Sequence, residues 1–237
     1  MTRTANRSAA LTVLVSLLLA LPAHASVNKS ITIDAGESSD GASTVNGKIS
    51  VGAGATVTGD VTSVNGSIRI DEGATVADAE TVNGGLRVAD KVRSQSLSTV
   101  NGSIKVASDV TVDGAVTAVN GKITIGGGSK VANDLGNVNG DIELDGSEIG
   151  GDVSTVMGDV ELADGAVIMG DLIVEKPGGW NSNKRTPRIV IGPGSRVEGV
   201  IRLEREVKLY ISESAEVGGV EGEMTMDDAV RFSGKRP

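Results

Sequence analysis

The tripeptide Val-Asn-Gly recurs six times in register, and this repeat constrains the fold more than any other feature of the chain. Successive copies are separated by 18 or 19 residues, and Val156-Met157-Gly158 is a degenerate seventh copy. A fixed period of this length is typical of repeat architectures, in which each unit packs only on its neighbours. The six exact copies place asparagines at Asn46, Asn65, Asn83, Asn101, Asn120 and Asn139.

Each repeat has the pattern of three short strands separated by turns. After Val-Asn-Gly, apolar and polar residues alternate, as in Ser103-Ile104-Lys105-Val106, and this is the period of a half-buried strand. Stacking one unit per coil would turn the Val and Ile side chains into a common interior. The sequence therefore predicts an all-β fold, a single-stranded parallel β-helix (β-solenoid) of about ten coils of 18–20 residues. The usual chirality of parallel crossovers predicts that the helix is right-handed.

The amino-acid composition suits a thin interior built from small aliphatic residues. The 237-residue chain has 33 glycines, but only one each of Trp, Tyr and Phe. A conventional globular core of this size would contain many more aromatic side chains. Because the chain has no cysteine, no disulfide can stabilise it, and stability must come from packing.

The N-terminal segment has the three parts of a secretory signal peptide. Arg3 and Arg7 precede an apolar run, and Ala23-His24-Ala25 supplies small residues at a cleavage site. We therefore expect residues 1–25 to be removed on export, which predicts a periplasmic or extracellular protein. No later segment is apolar enough to predict a membrane span.

The rest of the chain divides into a solenoid and a C-terminal segment. Residues 26–220 are expected to form the solenoid. Residues 175–188 interrupt its period, and two prolines and two glycines mark them as a protruding loop. Residues 221–237 lack the repeat and are expected to form a polar cap or tail.

The asparagine column has a structural interpretation and a binding interpretation. Asn tolerates a left-handed backbone and Gly prefers it, so Asn-Gly suits a tight corner. Stacked coils would place the six asparagines above one another, where each amide can donate to one neighbour and accept from the other. We expect a structural asparagine ladder, with an outward ligand-binding array as the alternative.

The residue types present exclude several classes of chemistry. The chain has no Cys, and its single His, His24, lies in the expected signal peptide. This excludes Ser-His-Asp and Cys-His catalysis and His-based metal sites from the exported part. Nucleotide-binding glycine motifs are absent as well. We therefore expect no catalytic residue, no cofactor and no metal site.

Carboxylates are the only acid–base groups that the exported part could use. Asp follows Gly at five places of the repeat region. Solvated turn positions explain these residues most simply, and a carboxylate-based polysaccharide lyase or hydrolase on a β-helix is the alternative. The five are Asp60, Asp141, Asp152, Asp159 and Asp171.

The 175–188 insertion concentrates positive charge on a chain whose net charge is −9. Its candidate interaction residues are Trp180, Lys184, Arg185 and Arg188. This basic loop could contact an anionic glycan or the acidic flank of another copy. Alternatively, Trp180 folds back and covers the side of the solenoid.

Two sequence patterns resemble known bacterial families. Thr-Val-Asn-Gly-x-Ile-x-Val, as at 99–106, resembles the repeats of secreted adhesin-type proteins. Ser-Arg-Val-Glu-Gly-Val at 195–200 and Ala-Glu-Val-Gly-Gly-Val at 215–220 resemble the bactofilins, polymer-forming proteins with a right-handed β-helix of similar coil size. Together the resemblances cover about residues 27–220 and imply a non-enzymatic protein that self-associates or adheres. The export signal and the insertion depart from the bactofilin pattern.

These observations lead to a set of expected partners. Unpaired strand edges at a solenoid end favour end-to-end self-association. A cell-envelope glycan is the second candidate partner, so a glycan-binding module stays open beside the scaffold and the enzyme. The acidic surface disfavours nucleic acid by repulsion.

Overall fold

The predicted β-solenoid is confirmed. The computed structural model describes residues 27–178 and 185–237, and these form an all-β chain of about ten turns. Each coil contributes one short strand to each of three faces, which we call the first, second and third face in chain order. Coils are numbered from the N-terminus, and each begins at the corner that precedes its first-face strand. In the described part of the chain the one helical turn is a 3-10 helix, Met226–Asp228.

The first face is a sheet of eleven parallel strands that lie in chain order. Its strands are Ile31–Ile33, Ile49–Val51, Ile68–Ile70, Leu86–Val88, Ile104–Val106, Ile123–Ile125, Ile142–Asp145, Val160–Ala163, Arg188–Ile191, Lys208–Ser212 and Val230–Phe232.

The second and third faces are also built from parallel pairs between successive coils. Two long strands, Thr75–Thr81 and Arg93–Asn101, pass from the second face into the third. The other second-face strands are Ser38–Ser39, Thr56–Val57, Thr111–Val112, Lys130–Val131, Glu148–Ile149, Val167–Ile168, Arg196–Val197 and Glu216–Val217. The other third-face strands are Ala42–Thr44, Val61–Ser63, Val116–Asn120, Leu135–Asn139, Val153–Thr155, Leu172–Val174, Ile201–Leu203 and Val220–Gly222.

Identical positions of neighbouring repeats face each other across every pair of coils. Ile104, for example, pairs with Leu86 in the coil before it and with Ile123 in the coil after it. Side chains alternate along each strand, so the apolar positions of all three faces point into one shared interior. Residues such as Ile104 and Leu135 are fully buried there. The thin interior explains why Val, Ile, Leu and Ala suffice.

The pairing register of the first-face strands is the same before and after the insertion, and it continues beyond residue 220. Val160 in coil 8 pairs with Ile189 in coil 9, so the register is the same on both sides of the insertion. The segment 221–237 forms the 3-10 helix and the strand Val230–Phe232, which pairs with Lys208–Ser212. This strand lacks the Val-Asn-Gly signal, so the repeat does not mark it.

Candidate interaction surface

The six asparagines form one continuous hydrogen-bonded chain along the corner between the third and first faces. From Asn65 to Asn139, each Nδ2 donates to the Oδ1 of the asparagine one coil nearer the N-terminus, at 2.7 to 2.9 Å. Asn28 extends the chain, because Asn46 Nδ2 donates to its Oδ1 at 2.6 Å. The structure thus brings together every asparagine of the expected ladder.

The glycines of Val-Asn-Gly are needed for space rather than for backbone conformation. None of the six asparagines has a positive φ, and of the glycines that follow them only Gly140 does. A Cβ on Gly102 would instead overlap the carbonyl oxygen of Gly84, and Gly66 and Gly121 are equally confined. The expectation of a left-handed Asn-Gly corner is therefore wrong. Glycine is required because neighbouring coils approach each other too closely at this corner to leave room for a Cβ.

The valines of Val-Asn-Gly face outward. In each third-face strand the residue before the valine points inward, and Thr81 and Thr99 at this position are fully buried. The valine that follows is only half-buried. The expectation that all Val side chains point into the interior is wrong for this column, because strand alternation assigns the inside to the preceding residue. An outward stripe results, formed by Val45, Val64, Val82, Val100, Val119, Val138 and Val156.

In four repeats the buried residue before the valine holds the corner from inside through its hydroxyl, and these residues are Thr44, Ser63, Thr81 and Thr99. Thr81 Oγ1 donates to the carbonyl oxygen of Gly66, and Thr99 Oγ1 donates to that of Gly84, both at 2.9 Å. The hydroxyl therefore satisfies the same carbonyl that leaves no room for a Cβ in the next coil. The recurring Thr or Ser before Val-Asn-Gly is the sequence signal for this second polar column.

The asparagine ladder ends abruptly in coil 7. Asn139 Oδ1 is buried and has no donor among the described residues. The next position of the column is Met157, whose backbone continues the corner but whose side chain cannot donate a hydrogen bond. A buried acceptor without a partner costs free energy.

We expect Met157→Asn to stabilise the protein by about 1 kcal/mol, because its amide would donate to Asn139 Oδ1. Urea denaturation followed by circular dichroism measures the change. Met169→Asn is the matched control, since Met169 is 48% exposed and lies outside the ladder. Equal effects of the two substitutions would contradict the prediction.

The first face carries a column of cations beside the asparagine ladder. Coils 2 to 6 each present one outward Lys or Arg and no outward carboxylate on this face. Arg69 Nε lies 2.7 Å from Asp71, and Lys122 pairs with Glu143. The other three cations make no ion pair within the described ranges 27–178 and 185–237. The full column is Lys48, Arg69, Arg87, Lys105 and Lys122.

Four carboxylates replace the cations in coils 7 and 8 of the first face. They are Asp141, Glu143, Asp159 and Glu161, and we call them the carboxylate group. Two cations from other segments reach it. Arg185 Nη2 lies 2.7 Å from Asp159 Oδ2 and 3.9 Å from Asp141 Oδ1, and Arg236 Nε lies 3.3 Å from Glu161 Oε1. The end of the insertion and the C-terminal segment are therefore both held against this face.

Two of the four predicted interaction residues of the insertion lie on the first face. The Arg188 backbone N–H donates to Asp159 Oδ1 at 2.8 Å, and its guanidinium carbon is 5.1 Å from the centre of the Tyr210 ring. Arg185 makes the contacts given above. Trp180 and Lys184 lie outside the described residues, as does the expected signal peptide 1–25.

Most of the Gly-Asp carboxylates bind backbone amides of the next coil. On the third face, Asp152 Oδ1 accepts the N–H of Asp171 at 2.8 Å, and Asp171 Oδ1 accepts the N–H of Val200 at 2.9 Å. On the first face, Asp141 Oδ1 accepts the N–H of Asp159 at 3.2 Å. These aspartates therefore link coils where a corner leaves an amide unpaired.

The Glu80 carboxyl has a pKa near neutrality. It lies half-buried on the third face. Burial first, and then the charges of Asp78 and Asp60, together raise its pKa to about 7, although the hydrogen bond with Ser98 lowers it. A folded-state pKa above the usual 4.5 means that ionisation is harder in the folded chain. Stability is therefore lost as the pH rises from about 4.5 to about 7.

We expect Glu80→Gln to flatten this pH dependence and to stabilise the protein at pH 8 by about 1 kcal/mol, after allowance for solvent screening. Denaturant unfolding between pH 4 and pH 8 measures it. Glu221→Gln, at the equivalent third-face position of coil 10, is the charge-matched control. A wild-type pH profile that persists in the Glu80 variant would contradict the assignment.

No group of three or more Asp, Glu, His or Cys side chains among the described residues is arranged to hold a metal ion. None of the helices in that part of the chain is long and apolar enough to cross a membrane.

Comparison with known proteins gave no relative. No protein-family model, no curated protein and no solved structure matches the chain. The functional argument therefore depends on the geometry of the solenoid.

Proposed function

We propose that this chain is a non-enzymatic structural protein that self-associates through the N-terminal end of its solenoid. The observation that carries the proposal is the open edge of coil 1. Its strands Ile31–Ile33, Ser38–Ser39 and Ala42–Thr44 each have a single neighbour, in coil 2, among the described residues. Unpaired parallel edges are templates for pairing with another chain.

The backbone of Ile31–Ile33 shows which groups are available at this end. The Ile31 N–H donates to Lys48 O at 2.9 Å, and Ile33 O accepts the Gly52 N–H at 2.8 Å. Because alternate residues of a parallel strand bond to opposite neighbours, the backbone groups of Thr32 face away from coil 2. They are positioned to bond to a second copy.

The interior at the C-terminal end is covered by its own chain, whereas the edge strand Val230–Phe232 has one neighbour, Lys208–Ser212, among the described residues. The segment between the last third-face and first-face strands contains the 3-10 helix Met226–Asp228, and Met224, Met226 and Ala229 pack against the core. The Val207 N–H also points at Met224 Sδ, 3.4 Å away. Because the interior is covered at this end, we favour pairing at the coil 1 end alone, which gives a closed head-to-head dimer rather than an unlimited filament.

The cellular setting is part of the same proposal. Residues 1–25 have the pattern of a signal peptide, so we place the protein in a bacterial periplasm or outside the cell. The resemblance to adhesin repeats and bactofilins supports a structural or adhesive role there. The engagement of Asp152 and Asp171 by backbone amides supports a non-enzymatic chain.

Sedimentation velocity of residues 26–237 over a range of concentrations tests the proposal. We expect a dimer that Thr32→Pro converts to a monomer, because proline removes the outward N–H and blocks an edge. Arg231→Pro is the matched control at the covered end. Its backbone also faces outward, since Phe232 O accepts the Glu213 N–H from coil 10.

Circular dichroism melting must show that both proline variants remain folded. An unsubstituted chain that stays monomeric at all concentrations would overturn the proposal. So would dissociation by Arg231→Pro with no effect of Thr32→Pro, because the covered end would then be the interface.

A further inference from the structure

The surface between the asparagine ladder and the cation column has the same composition in five consecutive coils. Each of coils 2 to 6 presents one asparagine, one cation and, in four of the five, one hydroxyl within five residues of sequence. Strand alternation turns all three side chains outward. The sets are Asn46, Lys48 and Ser50; Asn65, Ser67 and Arg69; Asn83 and Arg87; Asn101, Ser103 and Lys105; and Asn120, Lys122 and Thr124.

These groups retain unused bonding capacity. Each asparagine of these five sets uses one amide N–H and one lone pair of Oδ1 within the ladder, so a second N–H and a second lone pair are left for another partner. Arg87 and Lys105 are exposed, and neither forms an ion pair in the described part of the chain. The surface can therefore bind hydroxyl groups and negative charge together.

The ends of this surface are defined by charge. Coil 1 presents Ser30 and Thr32 on the first face and no cation. Coil 7 presents Asp141 and Glu143 in place of the cation and the hydroxyl. The favourable strip is therefore about five coils long, with one set of groups every 4.8 Å or so.

We propose that this strip of coils 2 to 6 binds a linear acidic polysaccharide, with one sugar unit opposite each coil. The coil spacing is close to the length of one pyranose unit in an extended chain. Sugar hydroxyls suit the amide and hydroxyl groups, and a carboxylate on the sugar suits the cation. Phosphates of a nucleic-acid duplex follow one another at about 3.4 Å along a strand, and this spacing does not match that of the coils. This site is independent of self-association.

Fluorescence anisotropy with a labelled oligogalacturonate, in low salt with a chelator present, tests the proposal on residues 26–237. We expect the fully methyl-esterified oligosaccharide to bind much more weakly, since it lacks the charge. Arg87→Gln/Lys105→Gln should weaken oligogalacturonate binding about tenfold and reduce the slope of log K against log salt by about 1.4.

Lys91→Gln/Lys130→Gln is the matched control, because it removes two exposed cations that lie off this strip. It should leave the affinity unchanged. The proposal is overturned if both double variants lose affinity equally, or if polyphosphate and oligothymidylate bind as tightly as the glycan, since either result indicates attraction by charge alone. Thr32→Pro should bind normally, which separates this test from that of self-association.

Discussion

Gly102→Ala should destabilise the protein by about 3 kcal/mol, although it adds one methyl group at a partly exposed corner. The new Cβ would overlap the carbonyl oxygen of Gly84 in the preceding coil. That carbonyl also accepts the hydrogen bond of the buried Thr99 hydroxyl at 2.9 Å. Neither group can move away without separating two coils, so the overlap cannot be relieved locally. Guanidinium denaturation measures the loss.

Gly127→Ala is the matched control for this prediction. Gly127 lies in a turn, has no positive φ, and a Cβ there would meet its nearest neighbour, the carbonyl oxygen of Asp145, at 3.7 Å. We expect a change within about 0.5 kcal/mol. A Gly102→Ala variant as stable as the Gly127→Ala variant would show that the corner is looser than described.

The repeat was sufficient to predict the coils because a β-solenoid stacks identical positions. A fixed step of 18 or 19 residues places Asn83, Asn101 and Asn120 one above another whatever the details of the turns. The same argument predicts the all-β class and the number of coils. The first-face strand Val230–Phe232 was missed because it carries no copy of the tripeptide.

The repeat alone predicts neither which side chains of a strand face the interior nor which residues far apart in sequence come into contact. A shift of the inside–outside alternation by one residue would turn Val100 inward and Thr99 outward. Hydrophobicity alone favours this wrong arrangement, because valine is the more apolar of the two residues. The glycine carbonyl favours the polar residue at the inner position, because the Thr99 hydroxyl donates a hydrogen bond to it and a valine side chain cannot. Arg236 reaching Glu161 depends on how the chain turns back after coil 10, and no periodicity encodes that.

Leu97→Ala should destabilise the protein by about 3 kcal/mol, whereas Val100→Ala should cost less than about 1 kcal/mol. Both residues belong to the strand Arg93–Asn101. Leu97 is fully buried and its truncation leaves a cavity between Ala79 and Val116, its partners in the neighbouring coils. Val100 lies in the half-exposed stripe, where solvent can fill the space left by the lost methyl groups. Denaturant unfolding of the two variants measures the difference.

Comparing the stabilities of these variants tests which side chains of the strand face the interior, a point on which hydrophobicity alone gives the wrong prediction. If Val100 pointed inward with its six equivalents, its truncation would cost almost as much as that of Leu97, and Thr99→Ala would be nearly neutral. With Val100 outside, Thr99→Ala should cost about 1–2 kcal/mol, because the Gly84 carbonyl would lose its buried donor. Equal losses for Leu97→Ala and Val100→Ala would contradict the outward stripe. Three substitutions within one strand therefore decide which side of the Val-Asn-Gly column faces the interior.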